Sequence, residues 1–216
     1  MSITLVLGNK AYSSWSLRPW IALKQAGIAF EEVVIPIYVE GSSEQIRKHS
    51  AAGKVPILKH GDVTVWDSLA IIEYAAEAFP KAGLWPEDPK ARALARSISA
   101  EMHSGFVPLR KLCTMNTRKL YPNFALNPEV EADVARIEQI WLGTRAAHGR
   151  SGPFLFGTWT AADAMYAPVV TRFRTYDVKV SKPARDYMEA VLALPAMREW
   201  YAAGAAETWV LPQYEY

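Results

Sequence analysis

Three short turns hold the side chains of this sequence best suited to chemistry. Tyr12-Ser13-Ser14 opens a helical segment, Gly53-Lys54-Val55-Pro56 leads into a strand, and Trp66-Asp67-Ser68 opens a second helical segment. A serine or aspartate at a helix start is ordinarily a cap for the first backbone N–H groups. The same N–H groups and the helix dipole also favour an anion, so a hydroxyl there can hold a carboxylate or a thiolate. Both readings stay open for Ser13, Ser14, Asp67 and Ser68. Val55-Pro56 either begins a strand or holds a cis peptide that turns the Val55 amide toward a ligand; a cis bond is predicted, since proline tolerates it best. Metal is not expected: His49, His60, His103 and His148 lack paired ligand spacing, and Cys113 has no partner thiol. A phosphate-binding glycine loop is also missing.

The elements that must position these turns follow from periodicity. Ile3 to Leu7 is apolar and β-branched, and Gly8-Asn9 breaks it. Helices are predicted over Ser14–Ala26, Ser43–His49 and Ser68–Phe79, the last with Leu69, Ile72, Ala76 and Phe79 on one face. Strands are predicted over Phe30–Ile37, Val55–His60 and Val63–Trp66, the last two joined by the hairpin turn Gly61-Asp62. The order β-α-β-α-β-β-α makes residues 1–80 an α/β unit, and ligands of open α/β sheets bind at strand ends. Residues 81–89 are proline-rich and read as a linker. Residues 90–216 read as all-α. One long helical stretch is expected over Lys90–Leu120, bent near Gly105 and Pro108. Further helices follow at Asn127-Pro128-Glu129, a cap with proline at the first helical position, and at Thr160–Tyr176, Ser181–Leu194 and Ala196–Ala203.

Composition narrows the classes. Half of the 216 residues are hydrophobic and 21% are charged, so the chain has the apolar surface to offset ordering entropy. The net charge of +2, without a basic cluster, argues against a nucleic-acid partner. No stretch approaches the ~20 apolar residues of a membrane span, and Met1 to Gly8 lacks the pattern of a secretory leader. With a single cysteine as well, a cytoplasmic protein is expected.

Together, in this order and spacing, the three turns resemble cytosolic glutathione transferases of the serine type. Gly53-Lys54-Val55-Pro56-Ile57-Leu58 is similar to that family's turn into its third strand. Asp67-Ser68-Leu69-Ala70-Ile71-Ile72-Glu73-Tyr74 is similar to its glutathione-contacting helix start, and Ser13-Ser14-Trp15-Ser16-Leu17-Arg18 to the active-site helix of zeta- and theta-type members. Gly157-Thr158-Trp159-Thr160-Ala161-Ala162-Asp163 matches its second-domain capping box. The resemblance implies a thioredoxin-like N-terminal domain, an all-α C-terminal domain, and glutathione as co-substrate. It implies that Ser68 and Asp67 receive the γ-glutamyl carboxylate and ammonium, that Val55 pairs its backbone with the cysteinyl part beside Pro56, and that Lys54 is a contact for the glycyl carboxylate. It also implies a homodimer, to which the eight tryptophans lend indirect support.

The chemistry so implied is activation of the glutathione thiol for attack on a small electrophile. A free thiol has a pKa of roughly 8.5, and a drop of about two units costs ~2.7 kcal/mol. A helix N-terminus supplies up to ~2 kcal/mol and a charge-assisted hydrogen bond roughly 1.5–3, so helix and serine together suffice. Ser14, four residues before Arg18 and nearer the free N–H groups, is favoured over Ser13; Tyr12 ranks below both. Zeta-type sequences carry Ser-Ser-Cys where this chain has Ser13-Ser14-Trp15, which weighs against their isomerase chemistry. Trp15, Met102, Phe106 and Met115 are candidates for the electrophile pocket. A binding or regulatory protein of the same fold, without turnover, is the rival reading.

Overall fold

The computed structural model describes residues 2–215. Four strands, β1 (Ile3–Leu7), β2 (Glu31–Val34), β3 (Ile57–His60) and β4 (Val63–Trp66), form a mixed sheet in the order β2-β1-β3-β4. β1 runs parallel to β2 and antiparallel to β3, with Leu5 opposite Leu58 and Val6 opposite Ile57. β3 and β4 are the predicted hairpin, turned by Gly61 at φ 63°. The alternation of β1 sorts its side chains to two faces. Ile3, Leu5 and Leu7 join the main core, where α1 (Ser14–Gln25) and α3 (Ser68–Ala78) pack. Val6 turns to the opposite face with Ile35, Ile57 and Ile46 of α2 (Ser42–Arg47).

The C-terminal domain is helical: α4 (Pro89–Ser104), α5 (Val107–Leu112), α6 (Pro128–His148), α7 (Ala161–Thr175), α8 (Lys182–Leu192) and α9 (Pro195–Ala206). The main core runs unbroken from the sheet through α1 into α7, whose Met165, Val169 and Phe173 are buried. The proline-rich segment after α3 is also packed: Leu84 and Trp85 are buried, and the Trp85 indole donates to Glu73 at 3.1 Å.

The expected Lys90–Leu120 helix is two helices that stop at Leu112. α4 ends where Gly105 lies so close that a Cβ would sit 2.7 Å from the Glu101 carbonyl, and Phe106 turns left-handed at φ 55°. Beyond Cys113, backbone donors leave for distant partners: Thr117 N–H to the Ala11 carbonyl (3.1 Å) and Tyr121 N–H to that of Thr175 (2.7 Å). Tertiary hydrogen bonds here replace a helical ladder. Asn127 caps α6 through Val130 N–H at 2.9 Å, as its Asn-Pro pair predicts.

Candidate active site

The turn between β1 and α1 is built by close approach. A Cβ on Gly8 would lie 3.1 Å from the Ser13 hydroxyl oxygen and 3.0 Å from Ile37, so glycine is what fits. Ser16 Oγ accepts the Gly8 N–H at 3.0 Å and stands 2.8 Å from Ser13 Oγ. The preceding loop is tied from far along the chain, with both oxygens of Glu207 accepting the N–H groups of Lys10 (2.6 Å) and Ala11 (3.0 Å). Ser13 is the cap residue of α1, and Ser14 is its first residue.

The loops at this end of the sheet enclose a cleft of about 780 Å³, within the range of small-ligand sites. Ser13, Trp15, Lys54, Val55, Pro56, Asp67 and Ser68 all line it, with Tyr38 and Trp66 at the walls. The three turns of the sequence reading thus converge on one cavity, and the Val55–Pro56 peptide is cis.

Ser14 does not line the cleft. Its buried hydroxyl accepts a hydrogen bond from Arg172 of α7 at 3.1 Å, on the face that α1 turns to the helical domain. Met102 and Met115 are core residues, 0% and 2% exposed, and Phe106 is buried with them, away from the residues that line this cleft. Trp15 alone of that set reaches the cleft. Cys113 is buried, and burial pushes its thiol up to about 11, which suits a bystander. The Tyr12 hydroxyl is held by Arg118 (2.5 Å) and Glu215 (2.7 Å), and burial and the Glu215 contact raise its pKa, so it offers no acid to the cleft.

Asp67 has φ 79°, a costly conformation for a residue with a Cβ and one found at functional sites. Its Oδ1 accepts the N–H groups of Leu69 (2.9 Å) and Ala70 (3.2 Å). Two donors of the helix start are thereby used, and the N–H and hydroxyl of Ser68 are what α3 offers a ligand. The other oxygen, Oδ2, lies 3.2 Å from His103 Nε2. Burial lowers the His103 pKa, with Asp67 opposing, so the contact at neutral pH is a neutral N–H donating to a carboxylate.

Behind the cleft lies Arg18, part of the active-site-helix motif in the sequence but given no role there. It is 1% exposed, stacks on Trp15 at 4.3 Å, and reaches Ser68 Oγ with Nη1 at 3.5 Å. Burial, then the charges of Arg172 and Arg110, pull its pKa down to about 9.

Comparison with known proteins places this cleft among relatives. A family model for the glutathione S-transferase N-terminal domain matches residues 12–78, and one for the C-terminal domain matches residues 125–203; together they cover more than half of the chain. A rat protein named maleylacetoacetate isomerase is 39% identical over 113 residues, 51% of this chain and 52% of its own length. Glutathione S-transferase 1 of Dianthus caryophyllus is 37% identical over 105 residues, 48% of each chain. The chain thus spans about half the length of the curated relatives it matches. A crystal structure of a glutathione transferase homolog from Burkholderia, with bound glutathione, superposes with a TM-score of 0.69 at 26% identity, covering 96% of this chain and all of the other.

Proposed function

The chain belongs to the glutathione S-transferase family, and from that premise we propose that it binds glutathione in the cleft between β1–α1 and α3 and adds the thiolate to a small electrophile. The observation that carries this reading is the convergence of Ser13, Val55-Pro56 and Asp67-Ser68 on one cavity. The γ-glutamyl carboxylate goes to the Ser68 hydroxyl and N–H, and the ammonium to Asp67. The Val55 backbone pairs with the cysteinyl part as one strand pairs with another. Lys54, exposed at the rim, meets the glycyl carboxylate.

Of the two serines, we assign Ser13 to the sulfur, because it lines the cleft while Ser14 is held by Arg172. Ser16 supports it from behind: its N–H donates to Ser13 Oγ at 3.4 Å, and the Ser13 proton, given to Ser16 Oγ at 2.8 Å, turns to the sulfur when glutathione binds. The thiol proton leaves to water, the sulfur bonds to the electrophilic carbon, and the displaced electron pair departs with a leaving group or takes a proton from water. Calorimetric titration with glutathione, followed by a conjugation assay with a general electrophile, tests the reading. Micromolar to millimolar binding with turnover is expected. Binding without turnover favours the rival carrier or regulator, and no binding sinks the transferase reading.

We also propose a homodimer using β4, an edge strand with Val63 and Trp66 exposed, packed against the long helices of a second copy. Sedimentation should give about twice the chain mass of 24.1 kDa; a mass of one chain at micromolar concentration contradicts it.

A further inference from the structure

Three guanidinium groups gather where α1, α5 and α7 meet behind the cleft, and none of the three is in a salt bridge among the described residues. Arg172 is 4% exposed and satisfied only by neutral acceptors, the carbonyls of Cys113 (2.8 Å) and Pro168 (3.4 Å) and the Ser14 hydroxyl (3.1 Å). Arg18 is more deprived: its Nε has no partner at all, and its one hydrogen bond, to Ser68, is long. Arg110, half-buried on α5, donates to the His103 carbonyl at 3.2 Å. The nearby carboxylates, Asp67 and Asp133, attract Arg18 and Arg110 but form no ion pair with them, Asp67 being held by two N–H groups and His103, Asp133 by the Leu109 N–H at 2.9 Å.

The three charges repel one another, and both Arg18 and Arg110 are lowered in pKa by burial first. Trp15 offers its ring to the two, with Arg18 at 4.3 Å and Arg110 at 5.5 Å from its centroid and the His103 ring at 5.3 Å. An aromatic face compensates only a small part of the desolvation of a buried cation. The group that would compensate the rest is an anion, and a planar fork of donors fits a carboxylate best. Trp15 lines the cleft beside Ser13, and both guanidinium groups meet the cleft through that ring rather than lining it themselves.

We propose that Arg110 and Arg18, set around Trp15, form a carboxylate-binding site on the helical-domain side of the cleft, so that the preferred electrophiles carry an acidic group close to the reacting carbon. The proposal rests on the transferase reading above and deepens it. Arg18 touches Ser68, the seat of the γ-glutamyl carboxylate, at 3.5 Å, whereas Arg110 and His103 belong to the helical domain, so Arg110 is the group that separates the two possible sources of a carboxylate.

The test uses S-(para-carboxybenzyl)glutathione and its methyl ester, which differ by one charge and one methyl group, with affinities measured by calorimetry. The acid should bind about tenfold tighter than the ester, the effect of one charge-assisted contact. Arg110→Gln should close most of that gap, and Arg110→Lys, which keeps a charge without the fork, should retain part of it. Equal affinities in the wild type, or a gap that survives Arg110→Gln, overturn the proposal. So does a loss of glutathione affinity in Arg110→Gln as large as the loss of acid affinity, because the charge then serves glutathione itself. If glutathione fails to bind at all, the transferase reading falls instead. The site is then judged by thermal stabilisation with para-toluate against methyl para-toluate, where preference for the acid supports it and no preference overturns it.

Discussion

Replacing Asp163 by alanine should destabilise the protein by about 3 kcal/mol or more, a large fraction of the 5–15 kcal/mol that typically holds a fold. Asp163 is fully buried at the first turn of α7 and accepts four hydrogen bonds: from Thr160 N–H (2.8 Å), the Thr160 hydroxyl (3.0 Å), Leu155 N–H (3.0 Å) and the Tyr187 hydroxyl (3.1 Å). A lost cap alone costs ~1 kcal/mol, but here several buried donors would be stranded together. Burial pushes the carboxyl from an ordinary 3.8 up to about 6, with the four donors pulling the other way. The folded chain therefore holds this proton more tightly than the unfolded chain between those values. The resulting stabilisation is fully present below 3.8 and is lost as pH rises through about 6. Denaturant unfolding of the wild type and Asp163→Asn at several pH values from acid to neutral checks both points. The amide should flatten the pH slope in that window, and an Asp163→Ala protein as stable as the wild type would contradict the assignment.

The second large effect is on turnover. Ser13→Ala should lower conjugation about tenfold to hundredfold, because a charge-assisted hydrogen bond of ~1.5–3 kcal/mol to the thiolate disappears. Glutathione should still bind, since Val55, Asp67 and Ser68 remain. Ser14→Ala removes the acceptor of Arg172 Nη2 and should act on stability, with turnover per folded molecule little changed. Steady-state kinetics of the two variants, normalised to folded protein, separates them. Equal losses in both would leave no reason to prefer Ser13.

What the sequence made legible was local. The apolar run of β1 ended by Gly8-Asn9, the Gly61-Asp62 hairpin, the Asn127-Pro128 cap and the Thr160/Asp163 pair each act within a few residues, so local pattern alone reveals them. The three turns of the cleft were legible one by one, and only their joint order pointed to a common site. What stayed hidden depends on partners far apart in the chain. Glu207 holds the β1–α1 turn across 197 residues from Lys10, and Arg172 takes Ser14 across 158. No local pattern marks Arg18 as buried, because an arginine in the first turns of a helix ordinarily faces water. The sequence reading places Met102 and Met115 on one long helix beside the cleft, but α5 stops at Leu112, and an apolar residue type does not say whether it meets a cavity or the core.

The most direct measurement is the ultraviolet absorbance of the thiolate of bound glutathione as a function of pH, in the wild type, Ser13→Ala and Ser14→Ala. The account predicts a wild-type transition well below the ~8.5 of a free thiol, raised by roughly one to two units in Ser13→Ala and unmoved in Ser14→Ala. A titration that stays in place when Ser13 is replaced, or one that moves instead with Ser14, would contradict it.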